Sequence, residues 1–270
     1  MDTASVLLGL SALLGGTIRG FSGFGGPMTM IPVLNLFYPP SITIWIMAVI
    51  DLPANIYLIP SAQRHANANI WIPLTLGTLI TIPLGVYALV LVDATDMRRV
   101  ICVAIILACC LLLSGWLYRG RLGPASWAAV GAASGLVLGA TLIAVVTTVF
   151  LNAASRDAQE NRANIIIWAF ATGVVMVVLL SYQGFAGSEH FLMIAMLTGI
   201  YFVSCIAGTF VQRRFSSMSA RKLVLILIIV IATGGLASSY NVLGGADGNG
   251  RTSALDQKNQ WAEMTLAISR

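Results

Sequence analysis

Arg19 stands inside an apolar stretch and leads into a dense glycine run, Gly20-Phe21-Ser22-Gly23-Phe24-Gly25-Gly26-Pro27. A guanidinium in hydrocarbon is costly unless it faces a polar cavity or an anion, so its place there points to a binding site. The glycines permit close backbone approach, Ser22 offers a hydroxyl, and Pro27 suits the first turn of a following half-helix. Backbone N–H groups freed at such a break, with the positive end of a helix behind them, make an anion site. Phe21 and Phe24 are placed to shield it. The plainer reading is that the glycines only let helices pack closely. A dinucleotide loop is excluded, because no strand precedes the run and no acidic residue follows at the required distance.

Asp51, within Ile50-Asp51-Leu52-Pro53-Ala54-Asn55, is the one carboxylate deep in an apolar run. It is placed either to pair with Arg19 or to take up a proton in coupled transport. Asn55 lies one helical turn further on and shares its face. Later in the chain, Arg162-Ala163-Asn164 opens an apolar segment and could line the opposite wall of the site. A topology arginine with a cap-like asparagine is the alternative. Trp168, a turn beyond Asn164, is the tryptophan best placed for a pocket wall, with packing as its simpler role. His65 and His190 lie in loops without metal partners, and Cys102, Cys109, Cys110 and Cys205 lie in apolar segments as small hydrophobes. No metal and no cofactor are expected.

The elements that must hold these residues are membrane helices. Of 270 residues, 58% are hydrophobic and 9% charged, with a mean hydropathy of +0.88. Soluble domains carry roughly 25% charge, so this is a polytopic membrane protein with no room for a soluble catalytic domain. Apolar runs fall near 4–18, 21–38, 41–60, 70–92, 98–118, 125–140, 142–152, 163–183, 190–211 and 221–240. They form two sets of five. In each set the first two are short or glycine-interrupted, as in a hairpin of half-helices, and the last three are long enough to span. Thr141, Thr147, Thr148 and Asn152 are the polar residues of the second hairpin; they face inward if it lines a cavity, or bond their own backbone as membrane threonines do.

Laying the second set on the first at an offset of about 116 residues pairs Gly15 with Gly131 and Gly23 with Gly139. An odd number of segments per set inverts one half against the other. The expected fold is therefore all-α: two inverted repeats, residues 1–122 and 123–243, each a short half-helix hairpin plus three transmembrane helices, then a polar tail over 244–270. That tail, after Gly244-Gly245-Ala246-Asp247-Gly248-Asn249-Gly250, is either mobile or a short interfacial helix.

The net charge of +5 does not indicate nucleic acid, since the cations sit singly or in pairs between apolar runs. One side of the expected topology holds Arg64, Arg119, Arg121, Arg156, Arg162, Arg213, Arg214, Arg221 and Lys222. The other holds Arg98 and Arg99, offset by Asp93 and Asp96, and the Glu189–His190 loop. The first side is cytoplasmic by the positive-inside rule, which puts both termini outside. Trp71, Trp116 and Trp127 stand near segment ends, as interfacial anchors do.

The glycine run Gly20–Pro27, the apolar stretch ending in Tyr38-Pro39-Pro40, and the later Arg162-Ala163-Asn164 triplet resemble the TauE/SafE family of sulfite exporters and related anion permeases, over essentially residues 4–240. The resemblance implies a bacterial inner-membrane permease of two repeats, moving small sulfur-containing anions such as sulfite, sulfoacetate or other organosulfonates. It implies anion contacts at Gly23, Gly25 and Gly26 and at Arg162 with Asn164. Many members repeat the glycine-rich motif in the second half, whereas Gly139-Ala140-Thr141-Leu142-Ile143 lacks the double glycine and the proline.

The resulting expectation is an alternating-access transporter in which Arg19 supplies charge and the glycine backbone supplies donors to a small oxyanion, in a lipid bilayer, as a monomer or a homo-oligomer. The alternative classes are a membrane-embedded enzyme subunit and a scaffold acting through its tail. The enzyme reading lacks a nucleophile–base pair or metal cluster at membrane depth.

Overall fold

The computed structural model describes residues 3–113, 123–154, 157–185, 191–214 and 228–234. Among them every regular element is helical: α1 (Thr3–Ser22), α2 (Gly26–Leu34), α3 (Pro40–Ala62), α4 (Ala68–Leu91), α5 (Ala94–Leu113), α6 (Pro124–Thr141), α7 (Val145–Ala154), α8 (Ala158–Tyr182) and α9 (Phe191–Arg214). A further helical stretch covers 228–234. Arg119, Arg121, Trp116, Arg156, Glu189, His190, Arg221, Lys222 and the 244–270 tail lie outside the described residues.

Among the described residues, five helices are long and apolar enough to cross a bilayer: Ala4–Ser22, Pro40–Ala62, Ala68–Leu91, Gln159–Tyr182 and Phe191–Gln212. Their outward faces carry bare apolar side chains, among them Ile80, Leu84, Val203 and Phe210, which only lipid would cover favourably. The protein is thus a multi-pass membrane protein. Trp127 is only 3% exposed, packed inside rather than anchoring an interface.

Each expected hairpin is a long helix followed by a short one. The short members are α2, with 9 residues, and α7, with 10, while α1 runs 20 and α6 runs 18. Gly15 and Gly16 do not interrupt α1, because glycine within a helix is only a weak breaker when packing favours it. The break falls later. Gly23 and Gly25 take positive φ of 81° and 60°, a region an L side chain enters only at a cost, and Gly25 caps α2.

The second break repeats the first in hydrogen bonds rather than in sequence. The Ser22 hydroxyl donates to the Ile18 carbonyl at 2.8 Å and accepts from the Phe24 N–H at 3.3 Å. Thr141 donates to the Val137 carbonyl at 2.6 Å and accepts from the Ile143 N–H at 3.3 Å. Beyond each break, Thr29 bonds the Gly25 carbonyl and Thr148 the Ala144 carbonyl. These partners lie 119 positions apart in the numbering, against the offset of about 116 at which the glycines match. Leu142 falls opposite Gly23 and shares its positive φ, at 57°, the sole non-glycine among the described residues to do so.

Packing crosses between the halves. α1 lies along α9 and α6 along α4, each pair parallel, as Gly16 against Tyr201 with Gly20 against Cys205, and Gly77 against Ala128 with Gly85 against Leu136, show, and α3 packs on α8. Small residues set the first two contacts: a methyl on Gly16 or Gly20 would strike the Tyr201 or Cys205 carbonyl, and one on Gly131 the Leu74 carbonyl. At one end of the bundle, the Asn67 N–H donates to Asn164 Oδ1 at 2.8 Å and Asn67 Nδ2 to Glu160 Oε1 at 3.0 Å. That bond places the Arg64 loop beside the start of α8. At the other end, Arg98 donates to the Tyr38 carbonyl at 3.2 Å and the Tyr38 hydroxyl meets Met193 Sδ at 3.1 Å.

Candidate anion site

Arg19 occupies the last turn of α1, just ahead of the first break, and is 2% exposed. Each of its three nitrogens faces a protein oxygen. Nη1 donates to the Gly23 carbonyl, Nη2 to Asn55 Oδ1, and Nε lies 3.1 Å from Asp51 Oδ1. Asp51 and Asn55 share a face of α3, as their spacing requires, and Asn55 Nδ2 donates to Asp51 Oδ2 at 2.9 Å. The Tyr201 hydroxyl of α9, itself fully buried, donates to Asp51 Oδ1 at 2.6 Å. Three helices thus meet in one neutral cluster. The membrane cost of Arg19 is offset inside the protein, chiefly by Asp51.

The cluster borders a cavity with a water-accessible volume of about 40 Å³, enough for a few waters. Arg19, Asp51 and Asn55 form its polar wall, Phe24, Gly25, Pro27 and Met28 come from the first break, and Leu138, Leu142 and Ala144 from the second. Trp168, Thr172 and Gly173 of α8 close the remaining side. Two half-helices, α2 and α7, therefore begin at the wall of one cavity. The side chain of Asp51 is 13% exposed and that of Arg19 only 3%, so the carboxylate is the more open of the pair.

Of the residues singled out from sequence, Arg19, Phe24, Gly25, Asp51, Asn55 and Trp168 come together at this cavity. Trp168 is fully buried, with its indole N–H fixed on the Thr78 hydroxyl at 2.9 Å. The others lie elsewhere. Gly20 is a contact surface for α9, Ser22 and Thr141 cap the ends of α1 and α6, and Phe21 is half-buried outside the lining. Gly26 makes room for the Tyr201 hydroxyl, and Gly23 abuts the Arg162 side chain. Arg162 Nη2 donates to the Gly20 carbonyl at 2.7 Å, tying α8 to the end of α1. Asn164 accepts from the Asn67 N–H and so serves the loop after α3. Thr147 bonds Ser134 and Thr148 its own backbone.

Sequence reasoning missed Tyr201 and Leu142. A tyrosine in the middle of an apolar span carries a hydroxyl that must find a buried partner, and that was the available signal for Tyr201. Leu142 gives none, because nothing about leucine suggests a left-handed conformation. Among the described residues no cluster of His, Cys, Asp and Glu is arranged to hold a metal.

A helical multi-pass protein with a cavity between two helix breaks, walled on one side by Arg19, Asp51 and Asn55, has the build of a membrane permease. The chain matches the family model described as sulfite exporter TauE/SafE over residues 8–234, and it belongs to that family, a family of transporters rather than enzymes. Neither the curated proteins nor the solved structures contain a match to it.

Proposed function

We propose that the protein is a secondary transporter of small sulfur oxyanions, sulfite or an organosulfonate, which bind in the cavity beside Arg19. The observation that carries this reading is the convergence of a buried arginine and the starts of two half-helices on one cavity. An oxyanion presents several oxygens at once, matching a guanidinium together with the N–H groups of a helix start. In α2 the Gly26 N–H is bonded to the Phe24 carbonyl and Thr29 to Gly25, and Pro27 has no N–H. Met28 is then the first-turn donor nearest the void.

The exchange of partners between halves, α1 with α9 and α6 with α4, supports two inverted repeats, 1–122 and 123–243, rocking about the central α3–α8 contact. The same topology, with the more basic end cytoplasmic, puts both termini on the periplasmic side of a bacterial inner membrane. Gly23, Gly26, Arg162 and Asn164, which the family likeness puts forward, act in this reading by shaping the first break and fixing α8 rather than by holding the anion.

The test is flux of labelled sulfite and sulfoacetate in proteoliposomes, comparing the native protein with Arg19→Gln and with Arg19→Gln/Asp51→Asn. Loss of one charge-assisted anion contact lowers flux roughly 10- to 100-fold. The double variant leaves no buried charge unpaired, so it separates misfolding from lost binding. Native flux retained in the double variant would overturn the site.

A further inference from the structure

The proposed transport reading leaves a question of charge. Arg19 and Asp51 neutralise each other, and the more exposed of the two is the carboxylate. An anion entering the cavity meets a like charge first and a guanidinium whose three nitrogens each already face a protein oxygen. Protonation of Asp51 removes the like charge and can release one of those nitrogens.

We infer that, within that reading, Asp51 binds one proton for each anion carried, and that the Asn55 amide converts this protonation into a free arginine. In the ionised state Asn55 Nδ2 donates to Asp51 Oδ2 while Asn55 Oδ1 accepts from Arg19 Nη2. These two bonds fix the amide's orientation, because each end has one possible role. When a proton from the aqueous side forms an O–H bond at Asp51 Oδ2, that oxygen becomes a donor and faces the Asn55 NH₂, donor against donor. The amide turns over, Oδ1 accepts the new O–H, and its NH₂ now faces Arg19. Arg19 Nη2 thereby loses its acceptor and is left with an N–H for the anion.

The Tyr201 hydroxyl stays on Oδ1, which accepts in both states. The charged and titratable groups facing Asp51 are Arg19 of α1 and Tyr201 and Cys205 of α9. Of these only Arg19 touches the carboxylate as a cation, so its partner must change when Asp51 is neutral. On the far side the proton returns to water, the amide turns back, and the anion is displaced by the carboxylate. No oxidant or reductant takes part. One monovalent anion and one proton move together, and the cycle carries no net charge.

The experiment uses the full-length protein in proteoliposomes, with sulfite and with methanesulfonate, whose charge does not titrate in the accessible range. Anion flux and internal pH are followed together, with and without a valinomycin-set potential. The expected result is one proton per monovalent anion and no response to voltage. Asp51→Glu keeps that ratio. Asp51→Asn, which cannot release a proton, gives methanesulfonate flux that is indifferent to pH and driven by voltage. A native protein that moves either anion in response to voltage without moving protons would overturn the coupling and leave the transport reading standing. Absence of any protein-dependent flux of both anions would overturn the transport reading itself. Should Asp51→Asn fail to reach the membrane folded, the native ratio and the Asp51→Glu ratio decide the matter.

Discussion

Tyr201 and Arg19 meet the same oxygen: the α9 hydroxyl donates to Asp51 Oδ1 at 2.6 Å, and the α1 guanidinium nitrogen Nε lies 3.1 Å from it. One carboxylate therefore joins α1, α3 and α9 at the depth where α1 ends and the first break begins. Removing the hydroxyl by Tyr201→Phe leaves the ring packed and Oδ1 with one partner fewer. The expected cost is about 1–3 kcal/mol of stability, since the lost bond goes to a charged acceptor. Thermal unfolding in detergent measures it, and an unchanged midpoint would show the bond contributes nothing.

Arg19→Gln alone strands the Asp51 carboxylate in a buried site, and breaking a buried pair from one side costs roughly 3–5 kcal/mol. Arg19→Gln/Asp51→Asn removes both charges. Its unfolding midpoint is expected to return most of the way to the native value while anion flux stays low. Equal instability of single and double variants would mean that the pair is not the reason the single variant suffers.

Gly20 and Gly199 make a matched comparison. A methyl on Gly20 would collide with the Cys205 carbonyl of α9, whereas nothing lies within 4 Å of one on Gly199. Gly20→Ala must force α1 away from α9, at the roughly 1–3 kcal/mol typical of overpacking or more. Gly199→Ala gains up to about 1 kcal/mol of helix propensity. Melting curves of the two variants, read side by side, should move in opposite directions.

The two breaks should tolerate substitution differently. Gly25 combines φ of 60° with an Ile18 methyl 2.7 Å from any added Cβ, so Gly25→Ala strains the cap of α2 twice over. Ala144, its counterpart at the second break, already carries a methyl at the cavity wall. Flux is expected to fall at least about tenfold in Gly25→Ala, an effect of about 1.4 kcal/mol, and to survive in Ala144→Gly. The opposite order would mean the second break, not the first, holds the anion.

Much of this architecture was legible because hydropathy reports burial directly. The apolar runs located α3, α4, α8 and α9 within a few residues, and the rarity of intramembrane charge drew attention to Arg19 and Asp51. The first break was visible through Gly23 and Gly25, whose φ values only glycine adopts readily. The second was placed by the gap between the apolar runs 125–140 and 142–152, but not its geometry, since nothing about Leu142 announces a positive φ. The likeness of the two breaks was hidden as well: it lies in the hydroxyl caps at Ser22 and Thr141, two different residues doing one job, while the matching glycines pack against different neighbours. Gly20 and Arg162 show the remaining limit. Their types suggest a ligand, yet one seats a neighbouring helix and the other grips a carbonyl, a choice that only tertiary placement decides.

The parallel pairing of α1 with α9 and of α6 with α4 has a bearing on how such a chain could have arisen and how it can be taken apart. α1 and α6 find their glycine-matched seats on α9 and α4, across the connector between α5 and α6, so the parts on either side of that connector complete each other's packing. Severed in the connector between α5 and α6, the fragments should stay insoluble in isolation and reassemble when co-expressed, as two interlocked hands do and two stacked bricks do not.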